Sequence, residues 1–181
     1  MREYFDQLKQ VPKQEFIENF HLQETDSKRR KQPDGFSLDR IPEHERESHN
    51  YFKGRLNQRG IDNLILPSHI HPDRTNVVDS SGQPFNDVIH RFSNEFTFEN
   101  SPCAKKAHAQ LSHFFDKSKA VQEAEFIYLC NNFNVSHPKQ YSLKWTNKLF
   151  IGGGFHRLIA YGLFIEQNGF SPLKVYYCEV N

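Results

Sequence analysis

The chain has 181 residues, of which 36% are hydrophobic and 25% are charged. This composition predicts about one globular domain with its own core and excludes a disordered tail. The 23 Lys and Arg residues nearly balance the 22 Asp and Glu residues, which argues against a strongly basic, histone-like nucleic-acid binder. No apolar run approaches the ~18 residues of a membrane span. We therefore expect a cytoplasmic protein without a membrane partner, or a phage or effector protein delivered into a host cytosol.

The three cysteines are an odd number and contain no CxxC pair, which is typical of reduced thiols rather than of a disulfide framework. Phe is the dominant aromatic residue, with 17 copies against a single Trp. We expect a core that is built largely on Phe side chains.

Charge density divides the chain near residue 60. Residues 1–60 contain 12 of the 23 Lys and Arg residues and 11 of the 22 Asp and Glu residues, so half of the charges lie in one third of the chain. We predict a charged, helical N-terminal extension over residues 1–60 and an α/β core over residues 61–181. The amphipathic helices of the extension would offer a surface for a protein partner.

Two helices are predicted in the extension. The first runs from Lys13 to Leu22 and has Phe16, Ile17 and Phe20 on one face. The second runs from Glu43 to Gln58, with Gly60 as its C-cap and with its buried side formed by Tyr51, Phe52 and Leu56.

The predicted core elements follow in chain order. A strand at 64–66 is stopped by Pro67, and a polar loop follows. The segment 124–130 fits a helix or a strand, because periodicity does not arbitrate over so few residues. The remaining predictions are a helix from Pro102 to Phe115, a strand from Lys148 to Ile151, a helix from Phe155 to Gln167 closed by Asn168-Gly169, and a strand from Leu173 to Val180.

The last three elements form a strand, glycine loop, helix and strand in sequence. This order resembles a βαβ unit and predicts an α+β (mixed α/β) fold with a small mixed sheet.

The glycine loop carries the sharpest chemical signal. Three consecutive glycines allow positive φ angles and a close approach of the backbone to a ligand, and the following helix N-terminus favours anions. His156 and Arg157 in the first turn add donors, and Arg binds phosphate oxygens in a bidentate manner. The spacing matches neither the P-loop nor the Rossmann pattern. The pattern therefore predicts a phosphate site; a purely structural tight turn is the alternative.

The segment from Phe150 to Tyr161, followed by Gly169 and the strand from Leu173, resembles the ParB/sulfiredoxin-like superfamily, in which a Gly-Gly-x-His-Arg turn separates a strand from an Ala-rich helix. The resemblance covers about 35 residues. It implies a ParB/sulfiredoxin-like core that binds ATP or CTP with Mg²⁺. The phosphates would contact residues of the turn, namely Gly152, Gly153, Gly154, Phe155, His156 and Arg157.

This resemblance also implies a reaction class, which is NTP hydrolysis or phosphoryl transfer with His156 and Arg157 in the catalytic site. Phe155 stands where sulfiredoxins have their catalytic Cys, so sulfinic-acid reduction is not expected. Gly153 stands where the kinase-like members usually have Asp, so the base must come from elsewhere. We assign that catalytic role to Asp73; Asp79, Asp87 and Glu179 are further candidates.

Two other groups suggest alternative functions. The pair His69 and His71 has the spacing of two metal ligands on an extended segment, as in a metal-dependent nuclease, although solvated loop histidines would look the same. The basic run of Lys28, Arg29, Arg30 and Lys31 could contact phosphates of DNA or RNA, or form a solvated loop. The chain could thus be a nucleic-acid-binding or nuclease module, or a non-catalytic inhibitor, adaptor or effector.

Overall fold

The computed structural model describes residues 1–16, 18–19, 49–67, 69–70, 76–78, 81–94, 102–115, 127–131 and 145–179. A 3-10 turn at Arg2–Tyr4 precedes the first strand. The strands are β1 (Phe5–Gln10), β2 (Asn50–Leu56), β3 (Leu64–Leu66), β4 (His69–Ile70), β5 (Asn76–Val78), β6 (Gln83–Pro84), β7 (Ile127–Cys130), β8 (Leu149–Gly153) and β9 (Leu173–Glu179). The labelled helices are α1 (Gln58–Asp62), α2 (Phe85–Asn94), α3 (Pro102–Phe115) and α4 (Phe155–Asn168).

Seven strands form one mixed sheet in the order β1-β2-β9-β7-β8-β3-β6, and β4 pairs with β5 in a separate two-stranded sheet. In the large sheet, β7 is parallel to β9 and β3 is parallel to β8. The remaining neighbours in that sheet pair antiparallel. The fold is therefore mixed α and β, as the sequence predicted.

Both faces of the central strands are buried. One face, the helical face, packs with α2, α3 and α4 and includes Ile127, Ile151 and Val175. The opposite face, here called the aromatic face, carries a second apolar cluster made of Val11, Phe16, Tyr51, Ile65, Tyr128, Cys130, Phe150, Tyr176 and Cys178. Successive side chains of a strand point to opposite faces, so Tyr128 lies on the aromatic face and both of its neighbours lie on the helical face.

Helix α4 is the central helix of the helical face and packs against α3 and α2. Its close approach to α2 depends on Gly162, because a Cβ there would overlap the Ile89 side chain and lie 2.7 Å from Phe85 Cζ. Gly169 ends α4 with a φ of 82°. In the described part of the chain, no helix combines the length and the apolar character that crossing a membrane requires.

Several predicted elements are confirmed. The strand at 64–66, the helix from Pro102 to Phe115, the glycine-initiated helix and the last strand all lie where the sequence placed them, within two residues. The segment that fitted either type is a strand, β7. Residues 13–16 and 18–19 are helical, and the Phe16 side chain is fully buried. Ile17 and Phe20 lie outside the described residues.

The predicted helix from Glu43 to Gln58 is wrong over residues 50–56, which form β2. Tyr51 and Phe52 are both buried, as expected, but they face opposite sides of the sheet. Gly60 is not a C-cap; it lies inside α1, where a Cβ would overlap Tyr4 O and the Leu56 side chain. Strands β1 and β2 both belong to the large sheet, which therefore continues across residue 60.

The strands on either side of α4 also differ from a βαβ unit. Strand β7 lies between β8 and β9, antiparallel to the first and parallel to the second. Strands β8 and β9 therefore run in opposite directions. Their connection through α4 is not the parallel crossover that the element order suggested.

Candidate functional site

The glycine turn joins the end of β8 to the start of α4. Gly154 is the N-cap of the helix and adopts a left-handed conformation, with φ 87° and ψ 31°. Its carbonyl accepts the first helical hydrogen bond, which Leu158 N–H donates over 2.9 Å. A Cβ at this position would lie 3.4 Å from Ile127 Cγ1. The turn is therefore packed against the start of β7, in a conformation that favours glycine.

The charges at the start of α4 are the reverse of those that stabilise an isolated helix. A helix N-terminus carries a partial positive charge and favours acidic side chains. The first turn of α4 contains no acidic residue, and the N-cap makes no side-chain hydrogen bond. The side chain near this positive end is instead Arg157, a permanent cation. An anion bound at the turn would interact favourably with both the helix end and the guanidinium.

The Arg157 side chain turns back over the glycine turn. Its Nη1 atom lies 3.9 Å from the position that a Cβ on Gly154 would occupy, and its Nε atom is buried. Its positive charge also acts on the hydroxyl of Tyr128, where it favours the ionised form. The guanidinium therefore lies close to the turn and within electrostatic range of Tyr128.

Tyr128 belongs to the same site although sequence reasoning did not find it. The residue pairs with Gly153 across β7 and β8, and its ring stacks on that of Tyr176 with centroids 5.5 Å apart and planes 9° apart. Its hydroxyl oxygen is buried. Burial raises the pKa of this hydroxyl well above its usual value, and Tyr176 adds to the rise while Arg157 opposes it. The hydroxyl stays protonated, so it can donate a hydrogen bond.

The other two side chains of the predicted phosphate site point into packed surroundings. Phe155 belongs to the core of the helical face, so any contact between this residue and a phosphate would come from its backbone. His156 is 8% exposed, and its ring contacts the Phe155 ring edge-to-face at 5.6 Å. Its Nε2 atom is buried, so this nitrogen does not face solvent.

The remaining predicted site residues are not brought to the turn by the part of the chain that the structure describes. His69 lies in β4, whose partner β5 is in the separate small sheet. His71, Asp73, Asp79 and the basic run from Lys28 to Lys31 lie outside the described residues. Within the described ranges, no group of three or more His, Cys, Asp or Glu residues could hold a metal ion.

Among the other predicted carboxylates, Asp87 is exposed on α2. Glu179 is the last residue of β9, and its carboxylate is 4.0 Å from Arg2 Nη2. Neither position is at the glycine turn.

A carboxylate that the sequence did not single out, Glu15, lies on the aromatic face. Its Oε1 atom accepts hydrogen bonds from Lys53 Nζ at 2.7 Å and from the Tyr176 hydroxyl at 3.3 Å. The Lys53 hydrogen bond is the main reason why the pKa of Glu15 lies below its usual value, against the opposing effect of burial. Burial, with the charge and hydrogen bond of Glu15, raises the pKa of Tyr176 to about 12. Glu15 is therefore an ionised structural acceptor near the stacked tyrosines.

Comparisons with models of protein families, with curated proteins and with solved structures find no match for this chain. The ParB/sulfiredoxin-like resemblance stays a prediction that rests on the residues of the glycine turn.

Proposed function

We propose that the chain binds the phosphates of a nucleoside triphosphate, such as ATP or CTP, or of another phosphorylated small molecule at the glycine turn. The observation that carries the proposal is the position of Arg157. Its guanidinium folds back over Gly154 at a helix end that already has positive polarity. A phosphate at the turn would contact both this helix end and the guanidinium.

Three kinds of donor would act on the phosphate in this proposal. The first-turn amides of α4 supply backbone N–H groups, and Gly154 lets the ligand approach them without a side chain in the way. Arg157 would make a charge-assisted, bidentate contact. Tyr128, whose hydroxyl stays protonated, would donate a neutral hydrogen bond from the facing strand.

Phosphate binding is the part of the predicted activity that this geometry supports best. Hydrolysis or phosphoryl transfer needs a group that orients the nucleophile, and the predicted base, Asp73, lies outside the described residues. The described side chains of the turn itself include no carboxylate, so they offer Mg²⁺ none of its preferred ligands. The proposed phosphate contacts therefore come from the chain alone, and the binding experiment is done with and without Mg²⁺.

The direct test is calorimetric titration of the full chain with ATP, CTP and inorganic tripolyphosphate, each with and without Mg²⁺. Charged hydrogen bonds contribute about 1.5–3 kcal/mol, so Arg157→Ala should weaken binding by roughly 10- to 100-fold. The matched control is Arg59→Ala on α1. It removes an exposed guanidinium that lies 3.3 Å from the carboxylate of Glu3. This control should bind like the wild type.

Circular dichroism of each variant separates binding from folding. A folded Arg157→Ala protein with wild-type affinity would exclude the glycine turn as the phosphate site. Equal losses in Arg157→Ala and Arg59→Ala would indicate a diffuse charge effect and would also contradict the proposal.

A further inference from the structure

Two of the three cysteines lie side by side in the middle of the large sheet. Cys130 on β7 is the register partner of Cys178 on β9, and both side chains belong to the apolar cluster of the aromatic face. Neighbouring strands lie ~4.8 Å apart, and a disulfide needs a Cα–Cα separation of about 4.4–6.8 Å. The pair therefore meets the backbone requirement for a disulfide without any displacement of the strands.

The position of the third cysteine makes this pairing specific. Cys103 lies on α3 and belongs to the core of the helical face, on the other side of the sheet from Cys130 and Cys178. The latter two also act on each other electrostatically, because Cys130 adds to the rise that burial causes in the pKa of the Cys178 thiol. Of the three pairings that three cysteines allow, the fold brings together one.

Burial controls how this pair meets an oxidant. All three cysteines are buried thiols, with Cys130 1% and Cys178 0% exposed. A buried thiol with a raised pKa contains little of the thiolate that reacts with oxidants, so oxidation of the folded chain should be slow. A small neutral oxidant such as hydrogen peroxide avoids most of the steric barrier. Oxidation during refolding, before β7 and β9 are covered, avoids it altogether.

We infer that Cys130 and Cys178 are an oxidation site that forms a reversible disulfide between β7 and β9. With hydrogen peroxide, one thiolate attacks a peroxide oxygen, the O–O bond breaks, and a sulfenic acid and hydroxide form. The second thiol then attacks the sulfenic sulfur, the S–S bond forms, and water leaves. Together the two thiols lose two electrons and two protons, and the peroxide is reduced to two water molecules.

The disulfide would close a loop that contains the candidate site. Residues 130–178 include β8, the glycine turn and α4. A bond that closes a loop of about 50 residues restricts the unfolded chain and so stabilises the folded one. For a chain of this size we expect the melting temperature to rise by at least about 5 °C. The inference concerns the sheet and does not depend on phosphate binding at the turn.

The test is oxidation of the full chain with hydrogen peroxide, in native buffer and in urea, followed by mass spectrometry of the disulfide-linked tryptic peptides. The native chain should contain the bond between Cys130 and Cys178 in at least tenfold excess over the other two pairings. In urea this preference should be lost, because the shorter loop between Cys103 and Cys130 then closes more readily. Refolding from urea in a glutathione redox buffer should restore it.

Three variants separate the effect of the bond from general oxidation. Cys103→Ala should form the bond and show the rise in melting temperature, and dithiothreitol should reverse both. Cys130→Ala and Cys178→Ala should show neither, when the oxidised and reduced forms of each variant are compared.

Four outcomes would overturn the inference. They are the absence of the bond from both the peroxide-treated and the refolded chain, a native pairing ratio equal to that in urea, a linked chain that melts at or below the reduced one, and a rise in melting temperature that persists in Cys130→Ala.

Discussion

The left-handed backbone of Gly154 limits which residues can start helix α4. An L-residue with a Cβ pays about 1–2 kcal/mol in this conformation, whereas Asn tolerates it better than other non-glycine residues. The φ of 87° therefore explains one of the three consecutive glycines without any appeal to a ligand. Gly152 and Gly153 belong to β8 and do not adopt a positive φ.

Replacement of Gly154 tests this conformational requirement. We expect Gly154→Ala to lower the free energy of unfolding by about 1–2 kcal/mol, and Gly154→Asn to lower it by less. Urea denaturation followed by circular dichroism measures both. A wild-type stability for Gly154→Ala, or an Asn variant less stable than the Ala variant, would contradict the assigned backbone geometry.

Glu15 makes a predictable contribution to the pH dependence of stability. Its pKa in the folded chain is below the ordinary value of 4.5, so the folded state binds this proton more weakly than the unfolded state does. The ionised carboxylate therefore stabilises the fold above pH 4.5, and the contribution disappears as the pH falls through the lowered pKa.

The expected result is a stability difference between wild type and Glu15→Gln that is largest at pH 6–7 and shrinks progressively below pH 4.5. Urea unfolding of both proteins at several pH values between 7 and 3 measures it. A difference that stays constant over this range would show that the carboxylate charge does not act through Lys53.

At the scale of elements, the contact between α2 and α4 depends on the absence of a side chain at Gly162. A Gly→Ala change inside a helix normally gains about 1 kcal/mol of helix propensity, but here the new Cβ would overlap Ile89. Overpacking of a core typically costs about 1–3 kcal/mol, so we expect Gly162→Ala to be destabilising overall.

A double-mutant cycle isolates this overlap. Ile89→Ala removes the atoms that a Cβ at Gly162 would meet, so Gly162→Ala should cost less in the Ile89→Ala background than in the wild type, by at least 1 kcal/mol. Urea midpoints of the four proteins give the coupling. Additive effects would mean that the two helices are not in the close contact described.

The elements also show where sequence reasoning succeeds. The segments with clear helical spacing or with glycine boundaries, α3 and α4, were predicted within a residue at each end. Helix α2 was not predicted, yet its buried residues Phe85, Val88, Ile89 and Phe92 have the i, i+3, i+4, i+7 spacing of an amphipathic helix. That signal was present in the sequence.

Strand β2 was wrongly predicted as helix for a physical reason. Both faces of the sheet are buried near the start of this strand, so Tyr51 and Phe52 are apolar neighbours and the alternation that marks a half-exposed strand is lost there. Tyr128 was missed for a different reason, because its place beside the glycine turn depends on the pairing of β7 with β8. Register between distant strands is not encoded in local periodicity. The sequence could therefore predict the glycine turn but not the tyrosine opposite it.

For the whole molecule, the sheet separates two environments. Its helical face is an apolar core, whereas its aromatic face combines the stacked rings of Tyr128 and Tyr176 with the Lys53–Glu15 ion pair. The glycine turn lies at the end of β8, and Arg157 extends from the helix start toward Tyr128 on the aromatic face. A phosphate bound at the turn would therefore contact groups from both sides of the sheet and should stabilise the whole fold.

The measurement that tests this account most directly is the thermal stability of the full chain with ATP, CTP, GTP and ADP, each with and without Mg²⁺. A ligand at 100 times its Kd adds about 2.7 kcal/mol to the stability, which for a chain of this size raises Tm by roughly 5–10 °C. We predict such a rise for at least one nucleotide and its loss in Arg157→Ala. An unchanged Tm with every nucleotide at millimolar concentration would contradict the phosphate site and leave the glycine turn with a structural role alone.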